Sequence, residues 1–296
     1  MAADPGEVSK TESKSSGTAH NGAVELYWTV QHPVAGSQPD SKRLLLISGL
    51  GSPLVAFEPE FVAELCAAGF SVARFDNRDV GKSSRIEGPS TGSPPYSIDD
   101  MASDAVAVLD AIGWASAHVF GQSMGGMIAQ QLAITHPARL QSLIAVMTAS
   151  GERGFGKATE EAAAALLRPA PGDADGWLEH RLETEQIWAS PQHWSPEWVR
   201  KKGRSMIEHG VDSKGAIRQY RAIASAGSRD QQLATISAPT LVLHGSADTL
   251  IQPDGGRHLA EVIPGASYVE IEGMGHDLPP ALWGRIVSEV EQFLAT

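Results

Sequence analysis

Cysteine is almost missing from this chain: Cys66 is the only one in 296 residues. That excludes a disulfide within the chain and a cysteine-built zinc cage. Basic runs are missing as well, and 23 basic residues against 35 acidic ones leave a formal net charge of −12. A nucleic-acid partner, which needs a basic surface to meet phosphates, is not expected. No stretch of about 18 apolar residues occurs, so no membrane span is expected. The first 20 residues (MAADPGEVSKTESKSSGTAH) lack the apolar core of a secretory signal, which makes a cytoplasmic location the expectation. What is present is a globular balance, 42% hydrophobic and 20% charged, with enough apolar material for a large core. Oligomeric state has no signature in the sequence.

The polar stretch Met1–His20 buries too little to offset its ordering entropy and reads as a disordered tail, with order beginning near Gly22. From 21 to 149, short apolar runs alternate with amphipathic stretches. Val24–Trp28, Leu44–Ile47, Val72–Phe75, His118–Phe120 and Leu143–Met147 read as strands. Phe61–Cys66, Ile98–Ala111 and Met124–Thr135 read as helices. The rhythm returns from 231 to 296 with strands Leu241–Leu243 and Tyr268–Ile271, a helix around His258 and a final helix Leu282–Phe293. Apolar strands alternating with helices predict a mostly parallel sheet covered on both faces. Between 150 and 230 no strand is legible. Helices are expected at Glu160–Leu167, Trp177–Trp188, Pro196–Gly210 and Lys214–Ala226, forming a cap over the carboxyl edge of the sheet; Ser195 before Pro196 marks a helix start.

Gly121–Gln122–Ser123–Met124–Gly125 matches G-x-S-x-G. The motif is short enough to arise by chance, and its context gives it weight: an apolar run precedes it and a helix-forming stretch follows. A strand, a sharp turn and a helix present a serine hydroxyl at a helix N-terminus, where developing negative charge is favoured. A serine nucleophile needs a base, and the base needs an orienting acid. His276 follows the strand Tyr268–Ile271 in a glycine-rich loop, and Asp248 follows the strand Leu241–Leu243, both at carboxyl ends of strands. Asp254 and Asp277 are fallback acids. Two backbone N–H groups must meet the oxyanion. Met124 supplies one, and Leu50, in the loop Ser48–Pro53, supplies the other.

Two other motifs fail. Gly81–Lys82–Ser83 ends like a phosphate-binding loop, but position 76 is Asp where glycine is required. Gly49–Leu50–Gly51 opens like a dinucleotide fingerprint, but position 54 is Leu. No phosphate-bearing cofactor is expected, and no metal.

The order Ser123, Asp248, His276 is that of α/β hydrolases. From Val24 to Phe293 the sequence resembles that superfamily. Phe75–Asp76–Asn77–Arg78–Asp79–Val80–Gly81–Lys82–Ser83, the segment Asp104–Asp110, Gly121–Gly125 and Gly273–Met274–Gly275–His276 resemble the aclacinomycin methylesterase group within it. The resemblance implies a helical cap, a Ser–Asp–His triad and removal of a methyl ester from an anthracycline. Ser48–Gly49–Leu50 departs from the His-Gly pair common in the wider superfamily. The function expected is hydrolysis of a small-molecule carboxylic ester through an acyl-enzyme, without a cofactor. Carbon–carbon hydrolysis, lactone opening and perhydrolysis remain alternatives with the same triad, and a non-catalytic ligand-binding role is the alternative of another class. Four of the seven tryptophans fall in the cap segment. Trp188, Trp194, Trp198 and Met206 are the candidates for an apolar pocket wall suited to bulky or polycyclic esters.

Overall fold

The computed structural model describes residues 14–33, 42–88 and 92–295. Eight strands form one sheet: β1 (Lys14–Asn21), β2 (Val24–Gln31), β3 (Arg43–Ile47), β4 (Ser71–Phe75), β5 (Ala117–Gln122), β6 (Leu140–Val146), β7 (Thr240–Gly245) and β8 (Ser267–Ile271). Their order across the sheet is β1-β2-β4-β3-β5-β6-β7-β8. β1 and β2 are antiparallel to their neighbours, and all pairings from β4 to β8 are parallel. The carboxyl ends of β3, β5, β7 and β8 therefore share one edge, and each of the four leads into a loop singled out by the sequence.

Period-two side-chain alternation explains why both faces are covered. Leu45 and Ile47 of β3, Val119 of β5 and Val242 of β7 pack on one side against α2 (Ile98–Ala111), α3 (Met124–Thr135) and α9 (Pro253–Val262). Leu44, Leu46, Phe120, Leu241 and Leu243 pack on the other against α1 (Pro59–Ala67) and α10 (Pro280–Phe293). Helix starts follow local chemistry. The Ser97 hydroxyl accepts from Asp100 N–H, and the Asp100 carboxylate accepts from Ser97 N–H, closing a capping box on α2.

Between β6 and β7 lie α4 (Glu160–Leu166), α5 (Ala174–Trp188), α6 (Pro196–His209), α7 (Ser213–Ala226) and the short α8 (Asp230–Leu233). Ser195 Oγ accepts the Trp198 N–H, and Pro196 opens α6. The inserted helices are tied to one core loop. Arg218 of α7 makes two hydrogen bonds to Asp79 (2.7 and 2.9 Å), and His209 of α6 lies 2.7 Å from Asp76.

Order in fact begins before Gly22. Lys14–His20, read from composition as part of a disordered tail, pairs as β1 with β2 in register from Lys14↔Gln31 to Asn21↔Val24. Only Ala19 of β1 is buried, so backbone pairing rather than burial forms the strand. Asn21 pairs with Val24, so the turn is Gly22–Ala23, and Gly22 at φ 60° in its first position is the hairpin signal in the sequence that composition overrode. Residues 1–13 lie outside the described residues.

Helix α3 runs unusually close to the sheet. A Cβ on Gly125 would sit 2.0 Å from the Ile47 carbonyl oxygen, and one on Gly121 would sit 2.3 Å from the Gly125 carbonyl oxygen. Gly284, inside α10, has open space around it. Gly125→Ala is expected to destabilise by about 3 kcal/mol or to prevent folding, because backbone cannot give way as a side chain can. Gly284→Ala is expected to stabilise by about 0.5–1 kcal/mol. Denaturant melts of the two variants check both signs.

Candidate active site

Ser123 is the single residue between β5 and α3, and its backbone sits at φ 55°, ψ −119°. A non-glycine residue there is strained, and its surroundings hold it. Its N–H donates to Val146 O (2.9 Å), and its carbonyl accepts from Thr148 Oγ1 (2.9 Å) and from Gly126 N–H (2.8 Å). The side chain makes no capping hydrogen bond to α3.

His276 and Asp248 arrive from loops after β8 and β7. Ser123 Oγ is 2.9 Å from His276 Nε2, and His276 Nδ1 is 2.7 Å from Asp248 Oδ2. Both partner groups are buried, Asp248 at 3% exposure and His276 at 9%. A carboxylate only accepts, so Nδ1 donates to it and the Nε2 lone pair of the neutral ring faces the serine hydroxyl. Asp248 Oδ1 accepts from the N–H groups of Leu250 and Ile251, each at 2.9 Å. Burial pushes the Asp248 carboxyl upward, but the His276 charge and hydrogen bonds from His244 and His276 outweigh it and hold the group at about 2. The fallback acids are engaged elsewhere. Asp254 Oδ1 accepts from Gly156 N–H (3.1 Å), and Asp277 Oδ1 accepts from the N–H and hydroxyl of Ser190 (3.0 and 2.5 Å).

A cavity of about 270 Å³ opens over Ser123 and His276, walled by Gly49, Leu50, Met124, Trp188, Lys202 and Asp277 among others. Leu50 and Met124, the two oxyanion candidates from the sequence, both line this cavity. Met124 opens α3, where the first amides have no carbonyl within the helix. Gly49 lies against the serine: a Cβ there would meet Ser123 Cβ at 3.4 Å. The neighbouring Gly51 N–H is committed to Gln219 Oε1 (2.7 Å). A second cavity, of about 440 Å³, shares Leu50, Leu166, Arg181, Glu185, Trp188 and Tyr220 with the first and reaches Trp177 and His180.

The α/β hydrolase fold family matches residues 42–279. This chain belongs to the α/β-hydrolase family. Among its relatives, the rhodomycin D methylesterase of Streptomyces sp. (strain C5) is 33% identical over 264 residues, covering 82% of this chain and 88% of that one. The rhodomycin D methylesterase of Streptomyces peucetius is 33% identical over 268 residues, with the same coverage of 82% and 88%. The enol-lactonase of Burkholderia xenovorans LB400 superposes with a TM-score of 0.74 at 26% identity, covering 95% of this chain and all of that one.

Of the four wall candidates in this hydrolase, only Trp188 lines the cavities. Trp198 turns away: its Nε1 donates to the buried Glu58 carboxylate (2.7 Å). Met206 is 0% exposed within the packing of α6, and Trp194 lies on neither wall. An α6 face of period 3.6 was legible, but not which side of α6 meets the cavity. Nor is the wall purely apolar, since Arg181, Glu185, Lys202 and Asp277 all contribute to it. Sequence reasoning also passed over His244, which lies 3.4 Å from Asp248 Oδ2 while its Nε2 donates to Ile251 O (2.7 Å). Its place four residues before Asp248 was the available signal. No group of three or more metal-binding side chains occurs among the described residues, and no described helix is long and apolar enough to cross a membrane.

The lowered Asp248 carboxyl has a consequence for stability. A group whose folded-state pKa lies below its unfolded value stabilises above the unfolded value, and loses that contribution as pH falls toward the folded one. With values of 3.8 and about 2, Asp248 contributes about 2 kcal/mol near neutrality, of which about half is gone at about pH 3. The stability gap between wild type and Asp248→Asn, from denaturant melts at about pH 6 and about pH 3, is expected to narrow accordingly.

Proposed function

We propose that this α/β hydrolase is a serine carboxylic-ester hydrolase working through an acyl-enzyme on Ser123. The observation that carries the reading is the continuous hydrogen-bonded series Ser123 Oγ, His276 Nε2, His276 Nδ1, Asp248 Oδ2, with links of 2.9 and 2.7 Å. His276 Nε2 takes the hydroxyl proton as Oγ attacks the ester carbonyl. The N–H groups of Leu50 and Met124 receive the oxyanion, and Asp248 holds the imidazole tautomer and balances the imidazolium. The tetrahedral intermediate collapses, the C–O bond to the alcohol breaks, and Nε2 returns its proton to that alcohol. Water then repeats the sequence on the acyl-enzyme, releasing the acid and restoring Ser123. Ser123, His276 and water supply every proton and electron pair of the cycle.

Likeness to the rhodomycin D methylesterases over most of both chains favours a methyl ester of a bulky acid. The inner cavity alone is small for such an acid. The outer cavity, which shares Trp188 and Tyr220 with it as lining, gives the body of the substrate somewhere to lie. The inserted helices are then the lid that selects substrates. The enol-lactonase likeness fits the same steps applied to a cyclic ester, whose alcohol stays tethered to the acyl group.

Ser123→Ala is expected to lower kcat for a methyl or p-nitrophenyl ester on the order of 10⁴-fold or more, with the melting temperature little changed. Retention of more than about a tenth of wild-type kcat would contradict the assignment. For the wall, Trp188→Ala is expected to lower kcat/KM for bulky-acid esters far more than for p-nitrophenyl acetate. Trp198→Ala removes the donor to the buried Glu58 carboxylate and is expected to cost about 1–3 kcal/mol of stability. Thermal melts and a two-substrate comparison separate these roles.

A further inference from the structure

The cavity wall carries a cation that the ester mechanism does not use. Lys202, on α6, is 8% exposed and lines the same cavity as Ser123 and His276. Among the described residues its direct neighbour is the Trp198 ring, with Nζ 5.0 Å from the ring centroid, and it forms neither a salt bridge nor a hydrogen bond. A lysine buried this far ordinarily finds an acceptor, because its donors cost free energy when stripped of water. Burial pulls its ammonium below the usual lysine range, opposed chiefly by the charge of Glu185 and further by Glu58 and Asp277. Charged or neutral, the amine keeps N–H donors, on a side chain that lines the cavity.

The surrounding charges say what kind of acceptor fits. Glu185 is paired with Arg181 one helical turn earlier on α5. Glu58 is held by Trp198, and Asp277 by Ser190. On this wall of the cavity two carboxylates, Glu185 and Asp277, stand with two cations, Arg181 and Lys202, and burial already pushes the Asp277 carboxyl upward. A substrate carboxylate entering here would add an unbalanced negative charge to a buried wall whose carboxylates and cations are already matched in number. A neutral oxygen takes the amine's hydrogen bond without adding charge.

We propose that Lys202 recognises a neutral oxygen acceptor, a ketone or hydroxyl oxygen, carried by the ester substrate a few bonds from its reacting carbonyl. The preferred substrates are then oxygenated esters rather than plain hydrocarbon ones. This inference rests on the ester-hydrolase reading of Ser123 and names the substrate class for that site.

The test compares kcat/KM for methyl hexanoate with its monoketo and monohydroxy analogues, and with monomethyl adipate as the anionic counterpart. Wild type, Lys202→Met and Lys202→Gln are measured side by side. Effects of a substitution on all esters alike cancel in the ratio of oxygenated to plain ester. In wild type at least one neutral oxygenated analogue is expected to exceed methyl hexanoate by about tenfold, the worth of a buried hydrogen bond, while monomethyl adipate does not. In Lys202→Met the ratio is expected to fall to within about twofold of unity, and Lys202→Gln, which keeps a donor, to fall between. Should Lys202→Met not fold, Lys202→Gln decides alone: a ratio reduced about threefold supports the assignment, and an unchanged ratio overturns it. A wild-type ratio near unity, a ratio that survives in Lys202→Met, or monomethyl adipate as the best substrate each overturns it. Ser123→Ala keeps the two claims apart. If that variant still turns over both esters, the reading of Ser123 fails; if turnover vanishes while the wild-type ratio is flat, only the role of Lys202 fails.

Discussion

The chain must leave a central strand, expose one side chain and enter a helix within a single residue, and the rest of the site depends on that turn. Ser123 holds the required φ of 55° only because β5 and α3 can almost touch. Gly121 and Gly125 permit the contact, with Gly125 pressed against the end of β3 at Ile47. The same approach brings the loop after β3, with Gly49 and Leu50, beside the serine hydroxyl. One steric constraint therefore sets the candidate nucleophile, the first amides of α3 and the position of the second candidate oxyanion donor together. His276 and Asp248 need no comparable strain, since parallel strands already deliver their loops to the same edge.

A second organising device is a pair of buried carboxylates at the end of β4. Asp76 accepts from Leu54 N–H (2.7 Å) and Lys82 N–H (2.8 Å) within the core and pairs with His209 on α6. Asp79 accepts from Ile86 N–H (2.7 Å) and Tyr96 hydroxyl (2.6 Å) and pairs with Arg218 on α7. Each carboxylate shapes a core loop with one set of donors and anchors an inserted helix with another. Gln219 extends the link, donating to Arg78 O (2.7 Å) while accepting from Gly51 N–H. The segment Phe75–Ser83, one of those that carry the family resemblance, is thus the junction between sheet and insertion. Hydrogen-bonded buried carboxylates of this kind are costly to half-dismantle, so the cavity has a fixed roof rather than a loose one.

Much of this was legible in the sequence because it is local or periodic. The helix bounds Ile98–Ala111 and Met124–Thr135 follow from 3.6-residue patterning, and Ser195–Pro196 announces α6 by its capping chemistry. Ser123, Asp248 and His276 could be chosen because each follows a readable strand. What failed was non-local. β1 is held by pairing with β2 and not by burial, so its polar composition misled while the Gly22–Ala23 turn went unweighed. On α6 the apolar Met206 packs inward and Trp198 turns to Glu58, which leaves a lysine on the cavity wall; no periodicity argument ranks lysine above tryptophan there. Asp277, adjacent in sequence to His276, spends its carboxylate on Ser190, just beyond α5, a contact 87 residues away along the chain.

The central claim is that the acyl group of an ester passes through covalent attachment to Ser123. Rapid acid quench of the protein during turnover of a p-nitrophenyl ester, followed by peptide mass spectrometry, reads that attachment directly. The account predicts an acyl mass increment on the peptide containing Ser123, mapped to that side chain, and none on His276. Turnover with the increment on another residue, or turnover with no acyl increment on Ser123 at any quench time, would contradict it.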